Sequence, residues 1–161
     1  MGVNKNFFSL LFFVSYSICI SASAGKQENY IQVGTSFREA REFIRIPEFF
    51  THQEYTGKRL ILRSDKNRSG LYFEFLNTKE IGDSTPSAAF ILQVIDSSQL
   101  KPKKFVFDIP NNIKEKTEVL LGLTGPEWNT EETRLIAWKL SLVEPEQEDP
   151  ITLSQSALWE H

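Results

Sequence analysis

The sequence predicts an all-β fold, an antiparallel β-sandwich of seven to eight strands, and three observations carry that prediction. Short apolar runs recur along the chain, they are separated by turns rich in Gly, Pro, Asp and Asn, and long stretches of helical periodicity are missing. Such a pattern builds sheets that bury one face against each other.

The strands follow in order. Lys58–Ser64 is apolar at Leu60, Ile61 and Leu62, opens after Gly57 and closes at Asp65. Gly70–Leu76 places Leu71, Phe73 and Phe75 on one face and Tyr72 and Glu74 on the other. The polar turn Asp65–Ser69 between them predicts a hairpin. Ala88–Asp96 is apolar on both faces and belongs in the middle of a sheet. Phe105–Ile109 alternates and stops at Pro110. Glu118–Leu123 ends at Thr124-Gly125-Pro126. Arg134–Val143 lines up Ile136, Trp138, Leu140 and Leu142, and Ile151–Trp159 lines up Leu153, Gln155, Ala157 and Trp159. Tyr30–Val33 is the candidate eighth strand. One segment departs from the pattern. Ser36 and Glu39 have the spacing of a capping box, and Phe37, Ala40 and Ile44 fall at helical spacing, so a short helix near residues 37–45, ended by Pro47, competes there with a strand. Seven or eight short strands in this order are compatible with an immunoglobulin-like or related sandwich.

The N-terminus reads as an export signal. Lys5 precedes an uncharged run, Phe7–Ile20, and Ala22-Ser23-Ala24 supplies small residues for cleavage before Gly25. The run is shorter than the roughly 20 apolar residues of a spanning helix and contains three serines and a tyrosine. The expected organisation is therefore a signal peptide over 1–24 and a single sandwich domain over 25–161, secreted or periplasmic, with no stable membrane span after cleavage. The only cysteine, Cys19, leaves with the signal, so the mature domain has neither disulfides nor thiol chemistry.

Charge narrows the partners. The chain has 18 basic and 21 acidic residues, a net charge of −3, and loss of Lys5 makes it one unit more acidic. Phosphate backbones call for clustered Lys and Arg, so nucleic acid is not an expected partner. The densest basic stretch, Lys101-Pro102-Lys103-Lys104, reads as a solvated turn before a strand.

Catalytic groups are sparse. His52 and the terminal His161 are the only histidines, and no Gly-x-Ser-x-Gly elbow accompanies them. A small hydrolase with an atypical site would have to use His52 or two carboxylates that the sequence alone does not pair. No zinc spacing occurs, and the oxygen-rich loops at Asp65–Asn67, Asp83 and Glu144–Asp149 lack the spacing of a calcium loop, so no metal and no cofactor is expected. Asn67-Arg68-Ser69 matches a glycosylation acceptor. Among the aromatics, Trp128 stands in a run of turn residues, Thr124–Thr130, and Tyr72 on the face of its strand away from the apolar one. These two are the candidate ligand-binding residues, able to stack on a sugar if exposed; the plainer reading of Trp128 is a plug at the end of the sandwich. The function expected is thus a non-enzymatic binding or structural module that engages a protein partner, with a carbohydrate-binding module and the small hydrolase as alternatives.

Overall fold

The computed structural model describes residues 31–78, 88–110, 113–128, 132–144 and 149–160. The signal peptide, Asp83, His161 and most of the Glu144–Asp149 connection lie outside the described residues.

Eight strands form two sheets of four. The first contains β1 (Gly34–Arg38), β2 (Leu60–Arg63), β3 (Gly70–Leu76) and β6 (Glu118–Thr124), in the spatial order β1-β3-β6-β2. The second contains β4 (Ala89–Asp96), β5 (Gln99–Asp108), β7 (Leu135–Val143) and β8 (Ile151–Gln155), in the order β5-β4-β7-β8. Every neighbouring pair is antiparallel except β2–β6, which is parallel.

The inward faces of the two sheets share one core. Phe73, Phe75 and Leu121 from the first sheet meet Phe90, Leu92 and Leu140 from the second. Phe75 packs edge-on against Phe90 with ring centroids 5.3 Å apart, and Phe73 does the same against Trp138 at 5.7 Å. The alternation expected of β3, with Leu71, Phe73 and Phe75 inward, is the one observed. Strand β4 is central, as its two-sided apolar pattern requires.

Several expectations need correction. Residues 58–64 and 70–76 do not form a hairpin, because β6 lies between β2 and β3. Strand β6 is buried along almost its whole length, and a strand apolar on both faces gains most at the centre of a sheet. The helix near 37–45 is replaced by β1, a 3₁₀ turn over Ala40–Phe43 and, after Pro47, a single helical turn α1 (Glu48–Thr51). The capping box is made by Glu39 and Glu42 instead of Ser36 and Glu39, which moves the start of the turn three residues on. Lys101–Lys104 is part of β5 and no separate turn; Pro102 is tolerated because β5 is an edge strand, and lysines along an edge discourage further pairing. The last strand stops at Gln155 and gives way to a 3₁₀ turn over Ala157–Glu160. Ile31–Val33 precede β1 without belonging to a strand, although the Ile31 N–H donates to the Leu153 carbonyl.

Among the described residues, no helix is long and apolar enough to cross a membrane.

Candidate functional site: the capped outer face of the first sheet

Alternation sends Tyr72 of β3 and Leu120 of β6 to the face opposite the core. That face is covered. The chain from Glu39 to Gly57 crosses it and lays Phe43 on Tyr72, with ring centroids 4.8 Å apart. Phe43, Tyr72 and Leu120, with Ile61 beside them, form a second and much smaller apolar cluster. Tyr72 fits because its partner across the β3–β6 ladder is Gly122: a Cβ there would come within 2.6 Å of the Tyr72 ring.

Charged groups fasten this cover. The Arg63 guanidinium carbon sits 4.9 Å from the Phe43 ring centroid and 5.9 Å from that of Tyr72. Its Nε donates to the Tyr72 hydroxyl at 2.7 Å, and its two terminal nitrogens donate to both oxygens of Glu54 at 2.8 and 2.7 Å. The Tyr72 hydroxyl in turn donates to the Arg68 carbonyl at 2.7 Å. Arg68 donates to Glu48 at 2.8 Å, which ties α1 to the turn between β2 and β3. Glu48 also accepts the backbone N–H groups of Arg45 and Tyr55, both at 3.3 Å.

These contacts set the ionisation of the cluster. Burial lowers the Arg63 pKa, but the hydrogen bonds to Glu54 and Tyr72 outweigh it and the net shift is upward. Burial raises Tyr72, and the Arg63 cation only partly opposes this. The hydrogen bond from Arg68 holds the Glu48 carboxyl below its ordinary value. Arg63 and Glu48 therefore stay charged and Tyr72 stays neutral at neutral pH.

The cover presents two surfaces. The first is an apolar knuckle on and beside α1. Ile46, Phe49 and Phe50 are 75, 70 and 80% exposed, and Ile44 and Tyr55 flank them. The second is an open cleft of about 450 Å³ between the cover and the adjoining ends of β2, β3 and β6. Phe43, Tyr55 and Leu76 supply apolar surface, and Arg45, Lys58 and Lys116 supply charge. Arg59 and Glu118 also line it and pair with each other at 2.9 Å. Among the described residues Lys58 and Lys116 have no ion pair, and the Arg45 guanidinium donates only to the carbonyls of Glu42 and Ile44.

The candidate residues of the sequence fall elsewhere. Trp128 follows a 3₁₀ turn over Gly125–Glu127 and is 3% exposed within the inter-sheet core, so it closes the sandwich. Tyr72 is fully buried beneath Phe43. Neither ring offers a face to a ligand, and the structure does not bring the two into one cluster. His52 caps α1 with a left-handed backbone (φ 54°), and its N–H donates to the Glu48 carbonyl. Its side chain is exposed and meets no hydrogen-bonding or ionic partner among the described residues. Asp65 accepts the Asn67 N–H at 2.9 Å in an exposed bend, which leaves Asn67 at the surface. Among the described residues, no three His, Cys, Asp or Glu side chains converge as a metal site would require. Sequence periodicity marks neither the knuckle nor the cleft; the signal for the first is Phe49-Phe50, two adjacent large apolar residues just before the polar run Thr51–Glu54.

No protein-family model, no curated protein and no solved structure matches this chain.

Proposed function

We propose that the chain is an exported, non-enzymatic binding module that holds a protein partner through the knuckle formed by Ile46, Phe49 and Phe50. In this reading residues 1–24 are removed on export, residues 25–161 act as one domain in a periplasm or outside the cell, and the sandwich is a scaffold of the immunoglobulin-like or a related kind. The parallel β2–β6 pair is the feature that keeps the likeness to immunoglobulin domains loose.

The observation that carries the reading is the exposure of those three side chains on a segment pinned by Glu48–Arg68 and Glu54–Arg63. Burying a large apolar side chain is worth about 1.5–3 kcal/mol, so a fold that spends a braced turn on displaying three of them gains when a partner covers them. Aromatic anchors of this kind dominate protein interfaces. A protein is favoured over an anionic bilayer because the chain as a whole is net acidic, with 21 acidic against 18 basic residues.

Photo-cross-linking in the native envelope tests this. A benzophenone amino acid at position 50 is expected to give a discrete protein adduct. The same group at Leu100, an equally exposed apolar position on β5, is expected to give none. Adducts from both positions, from neither, or to lipid from position 50 overturn the reading.

A further inference from the structure

We infer that the cleft beside the knuckle is a binding site for a carboxylate carried next to an apolar side chain, as an acidic and aromatic peptide segment of the partner presents it. The inference rests on the protein-binding reading and adds the chemistry of the segment recognised.

Charge is the first argument. The chain is net acidic, yet the cleft gathers Arg45, Lys58, Arg59 and Lys116 against a single carboxylate, Glu118. Glu118 is engaged with Arg59, which leaves three cations facing one concavity with no acidic partner among the described residues. Like charges gathered in one cleft repel each other, and an anion there relieves the repulsion and is drawn in from a distance. The neighbouring cluster shows how this chain satisfies a cation when stability alone is at stake: Arg63 and Arg68 each have a carboxylate within 2.8 Å.

Shape is the second argument. Phe43 and Ile61 form part of the apolar lining, Tyr55 and Leu76 add exposed apolar surface, and the cleft stands open to solvent. Small-molecule sites are mostly apolar and enclose most of their ligand. A half-charged, open cleft suits side chains projecting from a longer segment. Continuity is the third argument. Tyr55 and Arg45 belong to both surfaces, since Arg45 precedes Ile46 and Tyr55 flanks the knuckle while both line the cleft. One segment can therefore seat an aromatic side chain beside Tyr55 and its carboxylates among Arg45, Lys58 and Lys116.

The test uses the ¹⁵N-labelled protein expressed from its full-length chain and two probes, the blocked peptide Asp-Phe-Asp-Phe and its Asn-Phe-Asn-Phe counterpart. The acidic peptide is expected to shift the amides of Lys58, Arg59, Lys116 and Glu118, and the amide peptide to bind at least about tenfold more weakly. Lys58→Gln and Lys116→Asn are each expected to weaken the acidic peptide about threefold, and together about tenfold, in line with solvent-exposed charge pairs. Asn is chosen at 116 because the backbone there is left-handed (φ 62°), a conformation Asn accepts, so the variant keeps its fold. Raised salt is expected to weaken the acidic peptide alone. Equal binding of the two peptides, or acidic-peptide affinity unmoved by both substitutions, overturns the inference. Phenylacetate binding as tightly as the acidic peptide assigns the cleft to a free organic acid and overturns the peptide assignment. Failure here with a surviving adduct from position 50 removes the cleft and spares the knuckle; the reverse pattern removes the knuckle alone.

Discussion

The chain has two apolar assemblies, and they are held by different forces. Between the sheets, more than a dozen buried side chains from both layers pack together, and position is fixed by shape and by the strand ladders. On the outer face of the first sheet, three buried residues, Phe43, Tyr72 and Leu120, are too few to hold a cover by burial alone. Directional groups do the rest: Arg63 joins two rings, a hydroxyl and a carboxylate, and Arg68 reaches Glu48 from the turn before β3. Burial is non-directional and scales with area, whereas hydrogen-bonded ion pairs depend on geometry and on water being kept out. A cover fastened in this way holds the knuckle and the cleft by directional contacts and is expected to loosen before the sheets beneath it unfold.

The largest break in that comparison comes from the inter-sheet core. Phe73 is fully buried and meets Trp138 edge-on. Phe73→Ala is expected to cost about 3–5 kcal/mol through lost transfer energy and an unfilled cavity. A drop in the denaturant midpoint with unchanged slope, read identically by fluorescence and by far-UV circular dichroism, is the expected result. A loss confined to the cover, with the sheets intact, contradicts the assignment of Phe73 to the shared core.

A charged group inside the sheet framework should behave like the core and unlike the cover. Asp96, at the end of β4, is buried. Burial raises its pKa, but Lys103 at 2.9 Å, the hydroxyl and N–H of Ser98 and the N–H of Gln99 outweigh that and hold the carboxyl at about 2. The charged form is thus favoured in the folded state. The resulting stability, about 2 kcal/mol, is complete above the ordinary carboxylate pKa of about 4 and disappears as pH falls through about 2. Asp96→Asn is expected to lower stability by about that amount near neutrality, with the gap to the parent chain closing between pH 4 and pH 2. A constant gap across that range means that the contribution is not ionic.

Much of the core was legible in the sequence because a period of two is a local signal. Leu71, Phe73 and Phe75 announce an inward face without knowledge of what lies across from them. The same period sends Tyr72 outward, and it is outward; what the sequence did not show is that residues 39–57 return to bury it. That return depends on pairings far apart in the chain, Arg63 with Tyr72 and Arg68 with Glu48, which no periodicity encodes. The hairpin expected of residues 58–76 failed for a related reason. A polar turn between two apolar runs marks a change of direction but leaves open whether a third strand enters between them, and β6 does. Trp128 shows the opposite limit: turn residues around an indole describe its backbone, while its side chain points into the core. The cleft was illegible because Arg45, Lys58 and Lys116 come together only once β2 and β6 lie side by side and the segment carrying Arg45 covers them.

The smallest effect, and the one that separates the two assemblies most cleanly, is expected from Arg63→Met. Methionine keeps much of the apolar stem against Phe43 and removes the guanidinium, so Glu54 and the Tyr72 hydroxyl lose a partner while packing is largely kept. A fully buried pair broken in this way costs several kcal/mol, but Glu54 keeps access to water, which brings the expected global loss to about 1–2 kcal/mol. The local consequence should be larger than the global one. Amides over residues 40–56 are expected to exchange faster and a protease to cut there, while β4 and β7 stay protected. Photo-cross-linking from position 50 should weaken as well, because a loosened cover no longer holds Ile46, Phe49 and Phe50 in one orientation, and ordering them again must then be paid at binding. If exchange rises equally in the cover and in β4, the two assemblies unfold as one unit and the cover is simply an outer layer of the core. If only the cover responds, Arg63 is what fixes residues 39–57 on the outer face of the first sheet.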